Sequence, residues 1–182
     1  MEFLKKGLDN EDNTDEVRRT VSEILSAVQR DGEVAIRQYS QRFDNWNPER
    51  FTVDAEAVRA ATTDMPTELS EHIHRAIQQV RNFAKLQRET LLDLEVETLP
   101  GVTLGHRHVP VTAVGAYSPG GMYPLIASSI MTVVTPKVAG VDRVVAIAPP
   151  RDGQGIFGPQ LFTIDASGAD QILCLGGVQA LA

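Results

Sequence analysis

Apolar and polar positions follow two different periods along this chain, and the change between them divides it. Val17, Val21, Ile24, Leu25 and Val28 recur at steps of three and four, which predicts an amphipathic helix capped by Thr14 and stopped at Asp31-Gly32. A second helix is predicted from Glu33 to about Arg42. The polar run Asp44-Asn45-Trp46-Asn47-Pro48 breaks the pattern, and Thr52 or Asp54 then opens a short helix toward Asp64. After Pro66, a long amphipathic segment carries Leu69, Ile73, Ile77, Val80 and Phe83 on one face, so this stripe should pack on a neighbour. Around Leu94 the period falls to near 2. Leu94, Val96 and Thr98 alternate with charged residues, and Val102 to Val109 continue as strand. The transition is placed near Pro100-Gly101, between a helical region (1–100) and a second region (101–182).

The second region reads β-α-β-α-β. Val111 to Tyr117 is a strand, Ser118-Pro119-Gly120-Gly121 a turn, and Pro124 to Ala139 a helix with a break or kink at Pro136. Arg143 to Ala148 is a strand ended by Pro149-Pro150, Pro159 to Ser167 a helix, and Gln171 to Leu175 a third strand. The implied class is α/β: a helical N-terminal region, then the first, incomplete part of a Rossmann-like parallel sheet with right-handed crossovers. Ligands of such sheets sit beyond the carboxyl ends of the strands. Here Tyr117 to Gly121, Pro149-Pro150 and Gly176 to Gln179 converge on one crevice. The chain then offers about one helical turn, too little for a helix that stands alone. It reads as an unfinished protein whose third strand leaves an open sheet edge, and the isolated chain is expected to associate.

Charge and single residues narrow the chemistry. A net charge of −7 argues against electrostatic capture of nucleic acid or an anionic membrane. No apolar run reaches membrane-spanning length and Met1 to Lys6 lacks the apolar core of a signal peptide, so a soluble cytoplasmic protein is expected. Cys174 lies within an apolar strand and reads as a small core residue. His72 and His74 diverge on a helix; His106 and His108 share a strand face but lack a third ligand, so solvated or capping roles fit better than a metal. Glu95 and Glu97 read as solvent-facing.

The glycine-rich turn excludes two familiar sites. Gly115 and Gly120 imitate the start of a P-loop, but Gly121 stands at the Lys position and Met122 where Ser or Thr should follow. The three-glycine dinucleotide fingerprint is absent, and Pro149-Pro150 replaces the acid that would hold a ribose. One glycine pair needs only to permit a tight turn. The second pair, Gly176-Gly177, at the matching end of another strand, adds weight to a ligand.

Five separated blocks carry a resemblance. They are Gly115-Ala116-Tyr117-Ser118-Pro119-Gly120-Gly121 with Pro124, Thr135 to Val141, Pro149-Pro150, Gly168-Ala169-Asp170, and Gly176-Gly177-Val178-Gln179-Ala180. In order and spacing the chain resembles the histidinol dehydrogenase family over roughly residues 12–182. The resemblance implies an NAD-dependent zinc enzyme, a homodimer of histidine biosynthesis, that oxidises a primary alcohol (L-histidinol) to a carboxylate (L-histidine) in two hydride transfers. Tyr117 and Gln179 match its NAD-contacting positions, and Gly120, Gly121, Gly176 and Gly177 would let backbone approach the coenzyme. By the same resemblance the zinc ligands and a proton-shuttling Glu-His pair lie beyond Ala182. No catalytic or metal residue is therefore expected within this chain, which alone should not catalyse. Val178, the Arg151 to Gly155 loop and Phe3-Leu4-Lys5-Lys6 look more like the branch that includes sulfopropanediol dehydrogenase, which keeps a sulfonated diol or small polyol open as substrate. A truncated module that binds or assembles without catalysis is the reading from another class.

Overall fold

Residues 11–182, apart from Asp64 and Met122, are described by a computed structural model of the chain. The Phe3 to Lys6 segment and the helix end expected at Asp64 lie outside the described residues. Helix α1 spans Glu11–Asp31, so it begins before Thr14, which lies inside its first turns. Of its predicted stripe only Ile24 is fully buried, while Val17 and Leu25 remain exposed. Gly32 adopts φ 57° and passes the chain into α2, Glu33–Asp44, where Asn45 in the left-handed conformation ends it. Asp54 caps α3 (Ala55–Thr62), its carboxylate accepting from the Ala57 N–H at 2.8 Å. Helix α4, Thr67–Glu89, buries Ile73 and Ile77, with Leu69 and Val80 at the margin of the same cluster. Phe83 departs from the expected stripe at 64% exposure.

The period-2 segment forms a hairpin, β2 (Leu94–Leu99) with β3 (Val102–His106), and Pro100-Gly101 is its turn. The transition placed near Pro100-Gly101 therefore falls on a hairpin tip. β3 stops at His106, short of the expected Val109. Register pairs Val96 with Leu104 and Leu94 with His106, and every residue of both strands is exposed.

The main sheet has the order β1-β6-β5-β4, with β4 at Ala113–Tyr117, β5 at Arg143–Ala148 and β6 at Gln171–Cys174. β4, β5 and β6 run parallel, as the strand-helix alternation predicts. β1, only Thr52–Val53, adds antiparallel to β6. This overturns the expectation of an open edge at the third strand: β6 is covered by β1, and the uncovered edge is β4. A two-residue strand leaves no periodicity to read.

A break or kink was expected at Pro136, and helix α5 (Ile126–Ala139) is not broken there. Proline there falls in the last turn, where only one intrahelical bond is lost, and Val133 and Val134 just before it are completely buried. Helix α6 spans Gly158–Ser167. Gly140 and Gly168, at φ 92° and 97°, end these two helices. Helix α4 reinforces both ends, since Arg88 donates to the Val138 carbonyl at 3.0 Å and Arg81 to that of Ser167 at 3.4 Å. The sheet, α3 and α6 close one core around Val133, Val144, Ala146, Leu161, Ile164 and Ile172. A second cluster joins Ile73 and Ile77 of α4 to Ile130 and Val134 of α5. Helices from before residue 100 thus share cores with the sheet that follows.

Candidate functional site

The carboxyl ends of β4, β5 and β6 lie side by side at one end of the sheet, where the crevice was expected, and the loops after β4 and β6 each have an identifiable anchor. Gln160 of α6, fully buried, donates its amide N–H to the carbonyls of Pro119 at 3.0 Å and Ser118 at 3.4 Å. This fixes the turn after β4, aided by Ser118 N–H donating to Ile147 O at 2.8 Å. A Cβ on Gly120 would collide with the Gln160 side-chain oxygen, so glycine at 120 has a packing reason within the chain. Gly121 differs. The nearest atoms to a Cβ there are Pro149 Cγ and Pro150 O, both at 4.0 Å, so its backbone faces open space.

The loop after β6 is tied to β4 by Gly177 N–H, which donates to the Tyr117 hydroxyl oxygen at 3.4 Å. Tyr117 is half-buried, and this burial pushes its phenol above the ordinary value. Gly177 adopts φ 67°, a conformation that favours glycine, and leads into a 3₁₀ turn, Val178–Ala180, where about one helical turn was expected. Gln179 in that turn is only 2% exposed, and neither its amide oxygen nor its amide nitrogen has a partner. A buried primary amide with both ends unpaired is costly for a fold that gains nothing from it. The structure thus brings Tyr117, Gly176, Gly177 and Gln179 together, with Gly120 and Gly121 across the crevice.

Three residues of this region escape sequence reasoning. Asp44, the last residue of α2, comes so close that a Cβ on Gly176 would lie 2.7 Å from its Oδ2. Trp46 donates its indole N–H to the Cys174 carbonyl at 3.0 Å, and Ser40 Oγ donates to the Trp46 carbonyl at 2.7 Å, which pins the end of α2 beside the crevice. Gln160 lies in the first turn of α6 and carries no motif. Asp44 and Trp46 sit in a polar run that reads as a connector. The Arg151 to Gly155 loop packs beside them, Gly153 approaching the Asn45 carbonyl and Gly155 the Trp46 ring.

The remaining candidates sit elsewhere. Cys174 is buried, and desolvation pushes its thiol to about 12, which suits a core residue. His106 and His108 stack edge-on with ring centroids 5.2 Å apart, His106 bonded to the Leu92 carbonyl and His108 beside Asp93. His72 faces Glu68, and His74 bonds to the Ser70 carbonyl. Glu95 and Glu97 are exposed. Among the described residues no three of His, Cys, Asp and Glu come together to hold a metal ion, so no step is assigned to zinc on these residues. No described helix is long and apolar enough to cross a membrane.

Comparison with known proteins decides the lineage. A sequence model of the histidinol dehydrogenase family matches residues 8–182. The chain belongs to the histidinol dehydrogenase family. Within this oxidoreductase family, a histidinol dehydrogenase homolog of Shouchella clausii is 42% identical, covering 99% of this chain and 43% of its own length. The sulfopropanediol 3-dehydrogenase of Ruegeria pomeroyi is 39% identical over 100% of this chain and 42% of its own. The crystal structure of histidinol dehydrogenase from Elizabethkingia anophelis superposes with a TM-score of 0.83 at 23% identity, covering all of this chain and 40% of that one. The chain therefore has this family's fold and spans less than half the length of these relatives.

Proposed function

We propose that this chain forms the coenzyme-binding side of a cytoplasmic, homodimeric NAD-dependent alcohol dehydrogenase. The observation that carries this reading is the buried, unpaired amide of Gln179 beside Tyr117 and the Gly176-Gly177 loop. An amide offers one donor and one acceptor face, which matches the carboxamide and hydroxyl groups of a dinucleotide. Tyr117 supplies a ring for packing and a proton to donate, and the open backbone at Gly121 leaves room for the ligand to approach. NAD, when bound, supplies the hydride acceptor. By the family resemblance, zinc and the proton-shuttling pair are not held by the residues described, so the part proposed for this chain is to bind and orient the coenzyme.

Two observations favour a sulfonated diol or related small polyol over histidinol as the alcohol. The 39%-identical sulfopropanediol 3-dehydrogenase aligns over the whole chain, and by the resemblance stated above the Gly153 to Ile156 loop and Val178 look more like that branch. The test is NADH formation by the complete protein with histidinol and with sulfopropanediol. Turnover of the diol supports the reading, a strong preference for histidinol reassigns the substrate, and the absence of NADH formation with either alcohol counts against the dehydrogenase reading. Gln179→Ala should weaken NAD binding by about 0.5–1.5 kcal/mol, the worth of one neutral hydrogen bond.

A further inference from the structure

Asp44 is out of place by every local criterion. It is an acid on the last turn of α2, where the negative end of the helix dipole disfavours it. Its Oδ2 is buried without a hydrogen-bond partner. Desolvation holds its carboxyl above the ordinary carboxylate value, so the fold does not stabilise the charge. Yet the end of α2 is held firmly, by left-handed Asn45, by the Ser40 to Trp46 bond and by the Trp46 indole on Cys174. Glycine at 176 leaves the space this carboxylate occupies, since a Cβ there would lie 2.7 Å from Oδ2 and 3.0 Å from Pro149 Cβ. A costly group held in place by a well-built frame points to a ligand.

The location specifies the ligand group. Asp44 adjoins the loop after β6 that carries the unpaired Gln179 amide, whereas the two residues that end β5 are Pro149-Pro150 and the first acid after them, Asp152, is exposed beside Arg151. In parallel sheets of this kind an acid at a strand end accepts hydrogen bonds from ribose hydroxyls. We propose that Asp44, delivered from helix α2 rather than from a sheet strand, is the acceptor for a ribose hydroxyl of the bound dinucleotide. This rests on the coenzyme reading above and names the residue that reads the sugar.

The test uses the lone tryptophan, Trp46, two residues from Asp44, as an intrinsic fluorescence reporter. NAD and its 2′-deoxy and 3′-deoxyribose analogues are titrated into the wild-type chain, Asp44→Ala and Asp44→Asn. Asp44→Ala should weaken NAD by about 10- to 100-fold, as loss of a charged acceptor does, and Asp44→Asn by less. One deoxy analogue should bind the wild type as weakly as NAD binds Asp44→Ala, with no further loss when both changes are combined. Both variants should unfold at or above the wild-type temperature near neutral pH. Unchanged NAD affinity in Asp44→Ala, additive losses with every analogue, or a lowered unfolding temperature in both variants would each overturn the proposal while leaving the coenzyme reading intact. Failure of the wild type to bind NAD at all would instead overturn the coenzyme reading, and this assignment with it.

Discussion

Replacing Gln179 by Met should make the unliganded chain more stable and weaken coenzyme binding. Gln179 is 2% exposed and both polar atoms of its amide lack partners. Mutational data put the cost of one such buried, unpaired group at about 1–3 kcal/mol. Methionine has nearly the same length and shape and carries no group that needs a hydrogen bond, so it fills the site without that cost. In a chain of this size 1 kcal/mol moves the melting temperature by roughly 2–4 °C, so Gln179→Met should raise it by about 2–12 °C. Thermal and urea unfolding followed by circular dichroism give the change, and the same samples with NAD give the binding. A lower melting temperature would show that the amide is satisfied in the free protein, and the case for a waiting ligand group would fall. A raised temperature with undiminished NAD affinity would remove Gln179 from the site.

Ile164→Ala should cost about 2–5 kcal/mol, because Ile164 is completely buried in the main core and its loss leaves a cavity; an unchanged urea midpoint would contradict the packing described. Asp170 accepts from Val144 N–H at 2.7 Å and from Lys137 Nζ at 2.9 Å, and these hold its carboxyl below the ordinary range. Its stabilising effect is therefore present above the unfolded carboxylate value and lost as pH falls through the depressed folded one. Asp170→Asn should cost about 1 kcal/mol at neutral pH, a figure kept small by solvent screening, and the difference from wild type should close in acid; a pH-independent difference would rule out the charge. Cys174 should react with a thiol reagent only as fast as the chain unfolds, and rapid labelling of the native protein would place it on the surface instead of in β6.

The elements with a clear period were legible in the sequence. The spacing of apolar residues in α4 and the alternation of short apolar runs with helices in the second half both come from burial of one face, and burial leaves a mark at each position. β1 left no such mark, being two residues long, and so the protection of β6 could not be foreseen. Residue 100 looked like a boundary because a Pro-Gly turn follows soon after the change of period near Leu94, an arrangement that a hairpin produces as readily as a linker. At the proposed site, the glycines stand after strands and are legible from the loop positions, whereas Tyr117, the last residue of β4, and Gln179 were named from the family resemblance. Asp44 is brought to Gly176 by long-range packing through Trp46 and Cys174, a contact separated by 128 residues in the Trp46–Cys174 bond, and no local pattern encodes it. Gly120 shows the reverse case, a residue that looked ligand-related and also has a neighbour, Gln160, that requires it.

The most direct test is to titrate the isotope-labelled chain with NAD and map which backbone amides shift. Shifts centred on Gly121, Gly177 and Gln179, with the Trp46 indole following, are the predicted result. Shifts confined to the groove of about 460 Å³ between α4, α5 and His108 to Pro110, or none at millimolar NAD, would contradict the assignment of the coenzyme to the carboxyl ends of the sheet.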